Sequence, residues 1–297
     1  YKNYDHKKMK ILYVFFLTSY PVLFMVQRGN IYALILPMLI YSTLQKFINN
    51  QELDRYDIFK LVIIGSIRPN LLVFSLLFIY KSSFKETISK FFELSLMFIS
   101  MNALFFYIAG NLYEGYSFEN FLYGLNEYSR AHLVSDSFDS STFSTFLSIL
   151  NNQVVNTTFL NSHFEKMLII QFLFTLFYIL YLVYLTFQAS KNKIGRMHYV
   201  VSLAAVSLAA TSPIADYHLI LFLIILLLLV NKSFKQYKIY IIIISLLLLP
   251  KPHSELLEYF NYSLVMNNIL LHYLIIVDKL SQKSPKKFQK IYNFFKN

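Results

Sequence analysis

Long apolar runs alternate with short polar breaks along almost the whole chain. Eight of them, at 10–27, 31–48, 90–111, 166–188, 198–213, 217–230, 237–249 and 261–277, read as membrane-spanning helices. A bilayer core takes about 20 apolar residues per helix, fewer where flanking polar side chains snorkel. The runs 217–230 and 237–249 are shorter than that, so their ends are loosely defined.

The segment 58–80 is equally apolar but does not fit as a ninth crossing, because Lys60 and Lys81 hold both its ends on one side. Its middle reads Ile67-Arg68-Pro69-Asn70, a charge followed by a helix breaker. Interrupted backbone at membrane depth is tolerated only where protein or a water-filled cavity surrounds it, so the pattern predicts a re-entrant or broken hairpin. The expected fold is an all-α polytopic membrane helical bundle of about eight spans plus that hairpin. It forms a single integral-membrane domain over 1–297.

Charge orients the bundle. Of the 27 Lys and Arg residues, all but Arg28, Arg68, Arg130, Lys166 and Lys251 fall within 1–10, 46–60, 81–90, 191–196, 232–238 and 279–296. Short basic loops are retained in the cytoplasm, so these stretches mark one face, and 279–297 reads as a basic cytoplasmic tail. The breaks near Arg28, at 112–165, at 212–218 and at 250–260 then share the opposite face. The expected location is a multi-pass protein of the cell inner (plasma) membrane with its chemistry outside the cytoplasm.

Composition agrees. The chain is 56% hydrophobic and 14% charged, with a mean hydropathy of +0.48, whereas soluble domains carry about 25% charged residues. A pI near 9.4 invites a nucleic-acid reading, but the basic residues lie at helix ends and form no continuous stripe beside stacking aromatics. Anionic lipid headgroups and orientation account for them, and no nucleic-acid partner is expected. Zero cysteines exclude disulfides and thiolate metal sites. The chain begins at Tyr1 and reads from there as a cytoplasmic loop, so a preceding N-terminal portion is expected.

The outer loop 112–165 is the one substantial extramembrane element, with Glu114, Glu119, Glu127, Asp136, Asp139 and Glu165 against Arg130. Its Ser/Thr run at Ser135–Thr145 reads as a turn or lid, and Phe143–Leu150 as a short interfacial helix.

Four polar clusters reach the outer face: Gln27-Arg28-Gly29-Asn30, Asn151-Asn152-Gln153, Thr211 to His218, and Lys251-Pro252-His253. Arg68 adds a charge at membrane depth, which is expensive and marks functional paths. A guanidinium grips phosphate bidentately, Gly29 admits a close ligand, and Asn30 opens a helix whose free N–H groups attract anions. The competing readings are an interfacial snorkelling role for Arg28 and a structural ion pair for Arg68. Asp216 and His218 stand two apart at a turn after Pro213, where they can serve as base, metal ligand or sugar holder. An N-cap explains Asp216 equally well. The remaining histidines have no metal-ligand spacing, and neither a phosphate loop nor a nucleophile elbow is present. No metal and no cofactor are expected.

Together these motifs resemble the integral-membrane glycosyltransferases of glycosyltransferase family 87, the polyprenyl-phosphate-mannose-dependent type with the GT-C fold. The family's R-G-N or R-G-Q at the outer end of a span is matched by Arg28-Gly29-Asn30. Its basic residue before a Pro in a short hairpin is matched by Arg68-Pro69, where the family more often has Lys and an intervening aromatic. Its N-Q-S after the first large outer loop is matched by Asn152-Gln153, with Val154 in place of Ser. Its S-P-x-x-x-x-H opening a late helix is matched by Ser212-Pro213 and His218. Order and spacing agree across residues 20–220.

The resemblance implies transfer of a hexosyl group, mannosyl first among them, from a polyprenyl-phosphate sugar to a lipid-linked glycolipid or polysaccharide acceptor. Arg28, Asn30 and Arg68 would hold the donor phosphate, and Asn152, Gln153 and His218 the sugar or acceptor. The catalytic carboxylate of such enzymes sits in a first outer loop, which is expected in the portion preceding Tyr1; Asp216 is the placed substitute. Two other readings compete. One is a polymerase or ligase of undecaprenyl-diphosphate-linked polysaccharide, which the single Arg130 of the outer loop disfavours. The other is a transporter of lipid or glycan, which the absence of a second broken segment disfavours.

Overall fold

The computed structural model describes residues 19, 21–23, 32–113, 117–124, 127, 142–143, 145–146, 164–191, 193–210, 216–232, 236–249 and 262–283. Among them every regular element is helical, in keeping with the expected all-α class. The order is α1 (Tyr32–Ile48), α2 (Arg55–Ile67), a 3-10 helix (Pro69–Ile79), α3 (Phe84–Leu112), α4 (Phe164–Ser190) and α5 (Arg196–Ala209). A 3-10 turn (Asp216–Ile220) follows, then α6 (Leu221–Lys232), α7 (Lys238–Leu248) and α8 (Tyr262–Lys283).

Local chemistry sets the boundaries. At the end of α1, Asn50 adopts a left-handed φ of 62°, which Asn tolerates better than most residues. The amides of Asn50 and Gln51 return to the carbonyls of Phe47 and Lys46, closing the helix in a Schellman arrangement. Helices α2 and α3 both open with capping boxes, Asp54 with Asp57 and Ser83 with Glu86, which satisfy amides that a helix start leaves bare. Arg68 ends α2 because a residue preceding proline is driven out of the helical region; its φ is −135° and ψ 93°.

The chain then doubles back, and α2 and the 3-10 helix pack along each other as the hairpin expected for 58–80. A 3-10 helix of 11 residues is long for its type, and its threefold repeat explains how it is held. Leu71, Phe74, Leu77 and Tyr80 eclipse along one edge, and the three apolar ones are buried in the main core. Gly65 permits the close approach, since a Cβ there would stand 2.7 Å from Leu72 Cδ1 and 3.0 Å from its Cα.

Helix α5 is the centre of the bundle. Every residue from Met197 to Ala209 is buried, and its small side chains, Ser202, Ala204, Ala205 and Ser207 among them, let α8 and the 3-10 helix come close. In contrast, α3 and α4 are apolar and face outward: of their most apolar 18-residue stretches, only 6% and 11% is buried. They display large side chains such as Phe91, Phe92, Ile99, Phe172 and Leu180. Water would penalise an apolar surface of this extent, whereas lipid tails would not.

These two helices have the length and composition to cross a membrane. At 29 and 27 residues they reach about 40 Å, beyond a hydrocarbon core of roughly 30 Å. Helices α5, α6 and α7, with 14, 12 and 11 residues, reach only about 16–21 Å. Among the described residues, length and composition alone single out these two of the eight spans expected from the apolar runs, and nearly all of the run 10–27 lies outside those residues. The runs include turns and 3-10 residues that the helices themselves exclude.

One polar ring ties Thr142, within the segment 112–165, to the bundle. His272 Nδ1 faces the Asn268 carbonyl at 2.8 Å, so it carries the ring proton and Nε2 is the acceptor. The Tyr178 hydroxyl donates to Nε2 at 2.7 Å and accepts from Thr142, whose oxygen accepts from Asn268 Nδ2 at 3.1 Å. Each of these four bonds pairs one donor with one acceptor. Tyr178→Phe leaves Thr142 and His272 each short of a partner, an expected loss of about 1–3 kcal/mol. Thermal unfolding and proteolysis within 112–165 should both shift; an unchanged profile would show that the ring does not hold the loop.

Candidate functional site

Two ends of the bundle are distinguished by what gathers there. At one end Asp57, whose side chain is fully buried, binds Lys46 Nζ at 2.7 Å and Lys60 Nζ at 2.8 Å and accepts from Thr43 Oγ1 at 3.0 Å. Burial would raise the Asp57 carboxyl, but Lys46, Lys60 and Thr43 outweigh it and hold it well below the usual carboxylate range. Asp54 is also held low, first by the Asp57 amide and then by Lys46. Beside this cluster Arg196 donates to the Phe47 carbonyl at 2.8 Å and lies over the rings of Phe47 and Tyr80. Lys90 reaches the Phe78 carbonyl and Ser82. The basic stretches 46–60, 81–90 and 191–196 thus converge on one end.

A folded carboxyl below its unfolded value contributes stability at every pH above the unfolded value and loses it as pH falls through the folded one. The Asp57 contribution is therefore complete above about pH 4 and fades only in stronger acid. Asp57→Asn should cost on the order of 2 kcal/mol, less than the 3–5 of a dry pair because Lys46 and Lys60 keep some contact with water. Melting curves of both proteins should differ by a constant amount from pH 5 to 8 and converge below pH 4. A gap that vanished near neutral pH would refute the assignment.

At the other end, about 20 Å away along the 13 residues of α2, lies a small cleft. Arg68 enters it from the hairpin tip and His218 from the 3-10 turn before α6. Asn70, the second residue of the 3-10 helix, joins them. The apolar walls come from Leu36 and Pro37 of α1, Leu208 at the end of α5, Leu71 and Leu221. Its enclosed space of about 10 Å³ is that of a single water.

Two residues singled out by sequence, Arg68 and His218, are therefore brought together from opposite halves of the chain. Asp216 opens the same 3-10 turn as His218; its side chain lies outside the described residues. Arg28, Asn30, Asn152 and Gln153 also lie outside them, as do Ser212-Pro213, Lys251-Pro252-His253 and nearly all of the run 10–27.

Asn70 is the residue that sequence reading passed over. It is 8% exposed, and its Nδ2 is buried with no hydrogen-bond partner. An unmet buried amide costs about 1–3 kcal/mol, so its position in a cleft wall calls for an explanation. Its only signal in sequence is its place after Arg68-Pro69, at the start of a helix. Among the described residues no three His, Asp or Glu side chains gather in a way that could hold a metal.

No family model, no curated protein and no solved structure matches this chain.

Proposed function

We propose that this chain is a membrane glycosyltransferase that moves a hexosyl group from a polyprenyl-phosphate sugar to a lipid-linked or glycan acceptor. The observation that carries the reading is the shared cleft of Arg68 and His218, at the end opposite the converging basic stretches. The basic end would face the cytoplasm and the cleft the outside, in a multi-pass protein of the cell inner membrane. The shorter helices would complete the crossings together with their flanking turns.

The chemistry asked of the site is modest. Arg68 holds the donor phosphate and stabilises its charge as the bond to the sugar's anomeric carbon breaks. The acceptor oxygen attacks that carbon from the opposite side, the phosphate leaves with the bonding electrons, and a carboxylate takes the hydroxyl proton. Asp216 is the candidate for this base within the chain, with His218 orienting the sugar or acceptor. A lipid-phosphate donor would keep its tail in the bilayer, beside the apolar helix faces.

The test is transfer of radiolabelled mannose from polyprenyl-phosphate-mannose to endogenous lipids by membranes containing the protein. Labelled glycolipid above the level of membranes lacking it supports the proposal. No labelling with any polyprenyl-phosphate hexose tested would overturn it.

A further inference from the structure

Two cations meet on one ring at the basic end of the bundle. The Arg196 guanidinium carbon stands 5.2 Å from the centre of the Tyr80 ring, and Lys81 Nζ stands 5.6 Å from it. The Tyr80 hydroxyl donates to the Ile194 carbonyl at 3.1 Å, which brings the turn of Lys191 and Lys193 alongside. Lys81, Lys191 and Lys193 are exposed, and Arg196 is half-buried. Among the described residues the ion pairs are those of Lys46 and Lys60, so no carboxylate there answers these four charges. Glu86, close by in sequence, is committed to the Ser83 amide at 2.8 Å. Lys81 also holds its place against backbone preference: its φ of 61° is left-handed, a conformation that glycine or asparagine adopts at less cost.

The surface on either side is apolar. Helix α3 begins four residues after Tyr80 and exposes Phe84, Ile88, Phe91 and Phe92 along its first turns. Helix α4 ends four residues before Ile194 and exposes Leu180, Tyr184 and Phe187 along its last turns. Four residues of chain reach at most about 14 Å, so both apolar faces start within that distance of Tyr80 or its partner. Lys191 marks the border directly, with Nζ 4.0 Å from the centre of the Phe187 ring. The far ends of the two helices lack this crowding of charge. Helix α3 has no basic residue in its last turn, and α4 opens with Glu165 beside Lys166.

The occupant follows from that juxtaposition. It must carry negative charge, and it must be apolar one helix turn away from that charge. A soluble phosphate or an acidic peptide meets the first condition only. An anionic phospholipid meets both, with its headgroup against the cations and its acyl chains along α3 and α4. We infer that the turn around Tyr80 is a binding site for one anionic phospholipid, held by Lys81, Lys193 and Arg196 with Lys191 at its edge. The inference rests on the membrane reading and is independent of the transfer reaction.

The experiment is native mass spectrometry of the full chain in a non-ionic detergent, titrated separately with phosphatidylglycerol, phosphatidylcholine and glycerol phosphate. Wild type, Lys81→Gln/Lys193→Gln and Lys166→Gln are compared, with melting curves to establish that each is folded. Glutamine meets the same left-handed backbone cost as lysine, so the double variant isolates charge; Lys166 lies at the far end of α4. One phosphatidylglycerol should bind to wild type at a concentration well below that needed for phosphatidylcholine. Its half-occupancy concentration should rise about 25-fold in the double variant, about fivefold per charge, and stay put in Lys166→Gln. Equal binding of the two lipids by wild type, a preference kept by the double variant, or a comparable loss in Lys166→Gln would each overturn the site and leave the membrane reading standing. Glycerol phosphate binding as tightly as phosphatidylglycerol would keep the cations as an anion site and overturn the lipid as its occupant. Binding of neither lipid would overturn the site as well, and a chain that then stayed dispersed without detergent would take the membrane reading with it.

Discussion

Arg68→Ala is expected to reduce hexosyl transfer from a polyprenyl-phosphate donor by about 10²- to 10³-fold, the usual effect of deleting one preorganised donor at a developing negative charge. The fold should survive. Arg68 ends α2 through its backbone, whose amide binds the Ile64 carbonyl at 2.8 Å, and that bond does not need the guanidinium. Arg68→Lys is the more informative variant. Lysine restores the charge but not the planar fork, so it should recover only a small part of the rate if the grip is bidentate. Full recovery with Lys would mean that charge alone matters, and normal transfer by Arg68→Ala would remove the residue from the site. The measurement is initial rate against donor concentration in membranes matched for protein content.

Gly65→Ala should be nearly as damaging while touching no ligand. The added methyl would lie 2.7 Å from Leu72 Cδ1 and 3.0 Å from Leu72 Cα and Cβ. A side-chain tip can swing away; backbone in a packed hairpin cannot without parting the two helices. Overpacking of this kind costs about 1–3 kcal/mol, and the displacement would fall on Arg68 and Asn70 only a few residues beyond. Transfer should therefore drop together with the melting temperature. The double variant Gly65→Ala/Leu72→Ala removes the 2.7 Å contact but leaves the one to Cα, so it should recover part of each. Equal activity of Gly65→Ala and wild type would show that the hairpin's spacing does not position the cleft.

What the sequence discloses divides along physical lines. The hairpin break was legible because Arg68-Pro69 is a local constraint: proline acts on its own neighbour whatever surrounds it. The position of most helices was legible for the same reason, as burial or lipid contact demands apolar runs. Their ends were less so. Run 217–230 begins as a 3-10 turn and becomes α-helical only at Leu221, and α3 starts at Phe84 because Ser83 caps it, ahead of the apolar run. Both capping boxes are written in plain view, as Asp54 with Asp57 and Ser83 with Glu86. Their charged residues also count toward the basic stretches 46–60 and 81–90, so the capping role is not separable from net charge without the helix boundaries. Arg68 and His218 could be named separately from their polar settings, but their meeting depends on how α1, α5 and the hairpin pack. Asn70 was further out of reach, since an amide becomes conspicuous only when it is seen to be buried without a partner.

The cluster at Asp57 has a consequence for the order of events in the life of this chain. On the proposed membrane topology, Lys46 and Lys60 would count as two positive charges when the polypeptide first meets the bilayer, because their partners are not yet gathered and acidic residues weigh little in setting orientation. Once α1 and α2 dock, both lysines are engaged by Asp57, Lys46 by Asp54 as well, and the four charges cancel. The same side chains would thus be address labels during synthesis and mortar afterwards. Biogenesis and stability are separable here: Asp57→Asn would be delivered in the right orientation and fail later, at assembly, whereas loss of both lysines would strike at delivery itself.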